Sequence, residues 1–384
     1  MTGVNHIFGM KDKFNRHANQ TDFIYNYKTG TLSDFIKNVP KNLYFGASSV
    51  CKQACLFCHS KDFRHKGQHL PFDQYLQVLK SFKNLDLNYN TCVLAGGGEP
   101  MLYKSGDYDI NDQIIAAHDL GYAVYVISAE NDYSRICKEA ADKIACLRIS
   151  FTRINQKFNK QDGTNYNFSN ICTDKIIGSY IMYDERYKKY SEEIDKEQRL
   201  KGATNISYEQ YLTPEIIDLI IEIHNKYPFL KNTRISPDYF LTVEDAKKLT
   251  KRFITRVLAK KFDVNRFTID TSHERQSRFT PYKYSCIEGI LNPTIHSKYP
   301  MYHPQDDGTF IVSWCRQHVF SENTFNENYQ MCKINEIETV LKDKVAAFID
   351  TGAPQSKNIP AVCSMCCASK MMEAAHNVYK NLHE

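Results

Sequence analysis

The chain is expected to fold as an α/β protein on a parallel sheet, curved or closed. Three observations point there. Six short β-prone runs alternate with amphipathic helical patterns from residue 41 to residue 240. At 384 residues, 42% hydrophobic and 24% charged, the chain affords a large globular core and a smaller appendage. The two most unusual loops directly follow the first two runs, and α/β architectures bind ligands at the carboxyl ends of their strands.

The six runs are LYFGAS (43–48), TCVLAG (91–96), YAVYVIS (122–128), CLRISF (146–151), IIGSYIMY (176–183) and TRISPDYF (233–240). Between the first two, Tyr75, Leu76, Leu79 and Phe82 fall on one helical face. A second helix carries Ile114 and Ile115, runs to Leu120 and stops at Gly121, a residue suited to a left-handed C-cap. A third opens at Thr213-Pro214-Glu215, a cap with proline in the first turn, and carries Ile217, Ile220, Ile221 and His224.

Residues 1–40 show no sustained period and read as an N-terminal extension, and 41–240 as the α/β body. The charged stretch 185–202 reads as a solvated helical insertion, with a substrate-facing lid as its alternative. Residues 241–262 read as a linking helix, basic on one side, with Leu249, Phe253, Val257 and Leu258 at helical spacing. The remaining 263–384 reads as a small loop-rich domain in which HPQDDGTFIVSWC (303–315) forms a hairpin turning at Asp307-Gly308.

Net charge is +5, which permits an anionic substrate without requiring one, and nucleic acid is not excluded as a partner. No apolar run reaches the roughly 18 residues of a membrane span, and the N-terminus lacks a signal-peptide core. A cytoplasmic protein without a membrane partner is expected.

The 13 cysteines are odd in number and clustered, which favours metal or redox chemistry over disulfides. Cys51, Cys55 and Cys58 lie within eight positions after the first strand. With His59 as fourth ligand they would close a structural zinc site. On a [4Fe-4S] cluster three cysteines leave one iron open to a small molecule. The second loop, AGGGEP, places Gly96, Gly97 and Gly98 where backbone can approach closely, and Pro100 biases Glu99 toward an extended conformation. Backbone groups and one carboxylate beside an open iron suit a zwitterionic amino-acid ligand.

These residues resemble the radical S-adenosylmethionine (SAM) enzymes. That family's signature is CxxxCxxC with an aromatic residue before the last cysteine, matched by Cys51, Cys55, Phe57 and Cys58. Its GGEP loop, which holds the methionine amine, is matched by Gly97, Gly98, Glu99 and Pro100. The resemblance covers about residues 41–240 and implies a partial (β/α)6 barrel of the radical SAM type. It implies that the cluster passes one electron to SAM, from a donor such as flavodoxin or ferredoxin, and that a 5'-deoxyadenosyl radical abstracts a substrate hydrogen. It also implies oxygen sensitivity. By strand-end position Ser128, Asn131, Ser150 and Arg153 would touch SAM, or else serve as local caps and turns. Tyr183 and Asp238 would face the substrate space, or be structural.

The tail is similar to the SPASM and twitch extensions, which bind auxiliary [4Fe-4S] clusters. Cys286, Gly308, Cys315 and the Cys363–Cys366 pair follow that order, but six residues instead of four separate Gly308 from Cys315. One auxiliary cluster on Cys286, Cys315, Cys363 and Cys366 is expected, with zinc or unligated thiols as alternatives and Cys332 and Cys367 as unranked substitutes. Cys92, Cys137, Cys146 and Cys172 read as small core residues. The expected activity is a radical SAM reaction on a peptide, protein side chain or small molecule. Its rivals are a nucleotide or nucleic-acid substrate, and a zinc-stabilised RNA-binding protein.

Overall fold

The computed structural model describes residues 41–53, 55, 68–95, 97–151, 154, 164–182, 212–237, 243–269, 294–297, 310–313 and 330–351. In chain order these form β1 (Lys41–Gly46), α1 (Phe72–Asn84), β2 (Tyr89–Leu94), β3 (Lys104–Ser105), β4 (Tyr108–Asp109), α2 (Ile110–Asp119), β5 (Ala123–Ser128), α3 (Lys138–Lys143) and β6 (Ile144–Ser150). There follow β7 (Ile176–Met182), α4 (Pro214–Lys226), β8 (Thr233–Pro237), α5 (Val243–Ala259), β9 (Phe267–Ile269), β10 (Thr294–Ser297), β11 (Phe310–Ser313), β12 (Gln330–Lys333) and α6 (Ile337–Thr351).

All six expected strands are present and parallel, in the spatial order β1-β2-β5-β6-β7-β8. Spatial order follows chain order, and right-handed crossovers on such an order put the described helices on one face of the sheet. That is the winding of a barrel wall, not of a doubly wound sheet. Burial agrees with it. On the helix side Leu43, Leu94, Val126, Leu147, Tyr180 and Ile235 belong to one large core. On the other side Val93, Ala95, Tyr125 and Cys146 form a separate small cluster with half-buried Tyr44, Ile127 and Ile177.

The helices follow their local signals. In α1 the buried face is Tyr75, Val78, Leu79 and Phe82, so Val78 takes the place expected of half-buried Leu76. Before α2, Asp109 and Asp112 form a capping box, and after it Gly121 takes φ +78°. In α4 the Thr213 hydroxyl accepts from Ile216 N–H ahead of Pro214. Leu249, Phe253 and Val257 of α5 are buried, whereas Leu258 is 56% exposed. Much of the basic character of α5 is engaged within the chain. Arg256 forms a two-pronged bond with Asp218 (2.8 and 2.6 Å), Lys260 lies 2.9 Å from the same carboxylate, and Arg252 donates to the Leu212 carbonyl.

The region beyond residue 263 extends the barrel sheet. β9 pairs parallel with β8, and β10 pairs parallel with β1, covering an edge that would otherwise expose unpaired amides. β11 runs antiparallel between β10 and β12, so its hairpin partner is 294–297; Asp307 and Gly308 lie outside the described residues. Asn84 at the end of α1 donates to Glu338 of α6 (3.0 Å), and Ile337 and Leu341 enter the large core.

His224 is fully buried between α4 and β8, its Nε2 2.9 Å from the Thr233 hydroxyl, with Phe267 edge-on at 4.8 Å. Burial, then the nearby Arg266 charge, lowers its pKa to about 4. The unfolded chain therefore binds a proton that the folded chain excludes, and stability falls as pH drops below about 6.5 toward 4. In urea titrations from about pH 7 to about pH 5, the parent is expected to lose more stability than His224→Gln; equal losses would contradict this.

Candidate active site at the carboxyl ends of the strands

The chain leaving β1 does not fall away from the body. Residues 47–50 continue as an extended ribbon with backbone pairing on both sides. On one side Leu70 N–H donates to Ala47 O (2.8 Å) and Ser49 N–H to Gln68 O (2.9 Å), and Gln68 N–H returns a bond to the Ser49 hydroxyl (2.9 Å). On the other side Ser48 bridges to Gly97 in parallel sense, and Glu99 N–H donates to Val50 O (2.8 Å). The 68–70 strap is held by Tyr103, whose buried hydroxyl donates to Leu70 O (2.7 Å). The two motif loops are thus joined side by side, immediately before the first cysteine.

The glycines make this approach possible. Gly97 has φ +70°, and a Cβ on Gly98 would lie 2.3 Å from Val50 O and 2.7 Å from Ser48 O. Both obstacles are backbone atoms. Gly96 lies outside the described residues.

Glu99 is extended (φ −89°, ψ 118°), as the following proline favours, and buried. Its Oε1 accepts from Met101 N–H (3.1 Å), capping the short turn Pro100–Leu102, and its Oε2 accepts from Ala129 N–H (2.9 Å). The carboxyl group therefore ties the β2 loop to the end of β5. Burial, then the Glu130 charge, raises its pKa to about 7 against the hydrogen bonds from Ala129, Ser128 and Met101. A carboxylate offers about four acceptor positions, so two backbone donors and the Ser128 hydroxyl still leave capacity for an ammonium group.

Cys51 is half-buried and its Sγ accepts from Gln53 N–H (3.4 Å), while Cys55 is buried. Phe57, Cys58 and His59 lie outside the described residues. Ser128, at the end of β5, is buried and its hydroxyl accepts from Glu130 N–H (3.0 Å), the local turn that is its alternative reading. Asn131 is one turn further on, and its carbonyl accepts from Asn167 N–H (2.8 Å). Ser150 ends β6, level with Ser179 of β7. Cys51, Cys55, Gly97–Pro100, Ser128, Asn131 and Ser150 thus all come to one end of the sheet. Arg153, Tyr183 and Asp238 lie outside the described residues, as do Cys286, Cys315, Cys363, Cys366 and Cys367.

Of the cysteines read as core, Cys92 and Cys146 are buried, but Cys137 and Cys172 are exposed, which corrects that expectation. Both precede short helical turns, at N-cap positions where the chain turns at the surface, outside the sheet interior. Cys332 is buried in the large core, and burial raises its pKa to about 12.

Sequence reasoning does not find the 68–70 strap or the link from Glu99 to β5. The strap's only local signal is a His-Leu-Pro sequence, and the link joins residues 30 positions apart.

No protein-family model matches the chain, and no curated protein matches it. Among solved structures it is similar to SuiB of Streptococcus suis bound to S-adenosylmethionine, at 12% identity over 88% of this chain and 72% of that one, with a TM-score of 0.47. A second SuiB crystal structure is similar at 12% identity over 88% and 74%, with a TM-score of 0.48. Among the described residues, no helix is long and apolar enough to cross a membrane.

Proposed function

We propose that the chain is a radical SAM enzyme whose cluster is held by Cys51, Cys55 and Cys58 and whose SAM lies against the loop Gly97–Pro100. The observation that carries this reading is the direct backbone joining of the two loops, through the Ser48–Gly97 bridge and the Glu99 N–H to Val50 O bond. A closed structural zinc site has no need of a glycine loop locked beside it.

The donor set fits the cofactors. Cys51 and Cys55 offer soft sulfur ligands, and the Gln53 N–H is already directed at Cys51 Sγ. When bound at these cysteines, a [4Fe-4S] cluster would supply the one-electron reduction of SAM that this class of enzyme uses to abstract a hydrogen atom from its substrate. The chain's own residues bind and orient. Carbonyls of the glycine loop and the remaining acceptor positions of Glu99 receive the methionine ammonium, whose positive charge favours ionised Glu99. Ser128, Asn131, Ser150 and Arg153 are the candidates for the nucleoside and carboxylate. The side of the sheet opposite the large core provides the substrate space, for a peptide, protein side chain or small molecule. An auxiliary cluster on Cys286, Cys315, Cys363 and Cys366, and a one-electron donor such as flavodoxin or ferredoxin, complete the proposal.

The test is anaerobic preparation of the full chain with iron and sulfide. The expected result is a brown protein absorbing broadly near ~400 nm, with acid-labile sulfide, that yields 5'-deoxyadenosine with dithionite and SAM. A colourless protein retaining zinc and forming no 5'-deoxyadenosine would overturn the reading.

A further inference from the structure

Opposite the large core, the described face of the sheet becomes polar toward its carboxyl end, and the charged side chains that β6, β7 and β8 carry there are arginines. Cys146 lies on that side, so Arg148 and Ser150, two and four positions on along β6, share it. The Arg148 charge acts on the Cys146 thiol, as that placement requires. On β7, Ile177 marks the same face and Ser179 follows it. On β8, Ile235 belongs to the helix-side core, which leaves Arg234 and Ser236 on the opposite face.

Burial alternates with this assignment. Arg148, Ser150, Ser179, Arg234 and Ser236 are all half-buried, while Leu147, Ile149, Tyr180 and Ile235 between them are buried. Register places Ser150, Ser179 and Arg234 in one row across three strands, and Arg148 one row lower beside Ile177. At ordinary strand spacing and rise the two arginine Cα atoms lie about 12 Å apart, a span within which both guanidinium groups reach one small anion. The six parallel strands contain no aspartate or glutamate.

We propose that this inner face of β6–β8 is a subsite for an oxyanion on the substrate, a carboxylate or a phosphate ester, gripped by Arg148 and Arg234. It rests on the proposed function for its role as substrate space. Each guanidinium has five fixed N–H donors and favours planar, two-pronged contact with such groups. Both arginines also have interactions within the chain, and the Ser179 hydroxyl beside them donates to Ile149 O (3.1 Å). The adjacent Cys146, its pKa raised to about 12 by burial, stays a neutral thiol and does not compete for the cations.

The test is calorimetric titration of the anaerobically prepared full chain with glutarate and, separately, with inorganic phosphate at low salt. Saturable binding of at least one anion is expected. Arg148→Gln and Arg234→Gln are expected to weaken it about tenfold or more, and the surface variant Lys251→Gln to leave it unchanged. Binding of glutarate alone assigns a carboxylate substrate, and of phosphate alone a phosphate ester. If the parent binds neither anion, or both arginine variants bind as the parent does, the subsite is overturned. Should either Gln variant fold poorly by circular dichroism, the corresponding Arg→Lys variant decides, expected to lose glutarate affinity as the two-pronged contact disappears. SAM affinity measured on the same preparations should be equal in parent and variants. Its absence from the parent would refute the cofactor reading instead.

Discussion

Cys55→Ala is expected to reduce 5'-deoxyadenosine formation to background and to lower the iron content of the purified protein. Cys55 is buried on the loop leaving β1, while the ribbon preceding it is fixed by backbone pairing on both sides. A side chain of that paired ribbon cannot be drawn in as a substitute ligand without breaking the pairing. Loss of one of three thiolates leaves a cluster with two protein ligands, too few to hold it against exchange into solution. Cys172→Ala is the matched control. Cys172 is exposed and its side chain caps nothing, so its removal should leave both product and iron at parent values. The measurements are chromatographic quantification of 5'-deoxyadenosine and an iron and sulfide count. Parent-level product from Cys55→Ala would show that the ligand assignment is wrong.

The barrel wall is legible in the sequence because each of its strands is a local event. An apolar β-prone run followed by a turn and, in most cases, an amphipathic helix leaves a parallel crossover as the economical pairing. Gly121, Thr213 and Pro214 punctuate their helices by chemistry acting over a few residues, and they are readable for that reason. The pairing of β10 with β1 is not legible, because Tyr44 and Thr294 meet across 250 positions and a four-residue strand carries little pattern of its own.

At the site the division is similar. Glycine and proline declare the unusual backbone of residues 97–100 from sequence alone, since Gly97 has a positive φ and Glu99 is extended. The tie from Glu99 to Ala129 depends on two strand ends being level, which sequence does not state. The arginines of the inner face are present in CLRISF and TRISPDYF, but as one basic residue in each β-prone run. Only the packing of the sheet shows that they lie on the side opposite the large core.

Gly98→Ala should weaken SAM binding about tenfold or more and cost about 1–3 kcal/mol of stability. The added methyl would lie 2.3 Å from Val50 O, 2.7 Å from Ser48 O and 2.8 Å from the Ser49 carbonyl carbon. A flexible side chain could rotate away from such an atom, but these three belong to a ribbon already paired with residues 68–70. Relief therefore requires the two loops to separate, which strains the Glu99 N–H to Val50 O bond and moves the glycine carbonyls away from the cysteines. Gly106→Ala separates this effect from the ordinary cost of replacing glycine. Gly106 has φ +60° and a methyl carbon added there would meet nothing within 4 Å, so its variant bears only the left-handed penalty of about 1 kcal/mol and should bind SAM as the parent does. Calorimetric titration with SAM and urea unfolding measure the two effects. Unchanged SAM affinity in Gly98→Ala, with its stability also unchanged, would mean that the close joining of the loops does not shape the cofactor site.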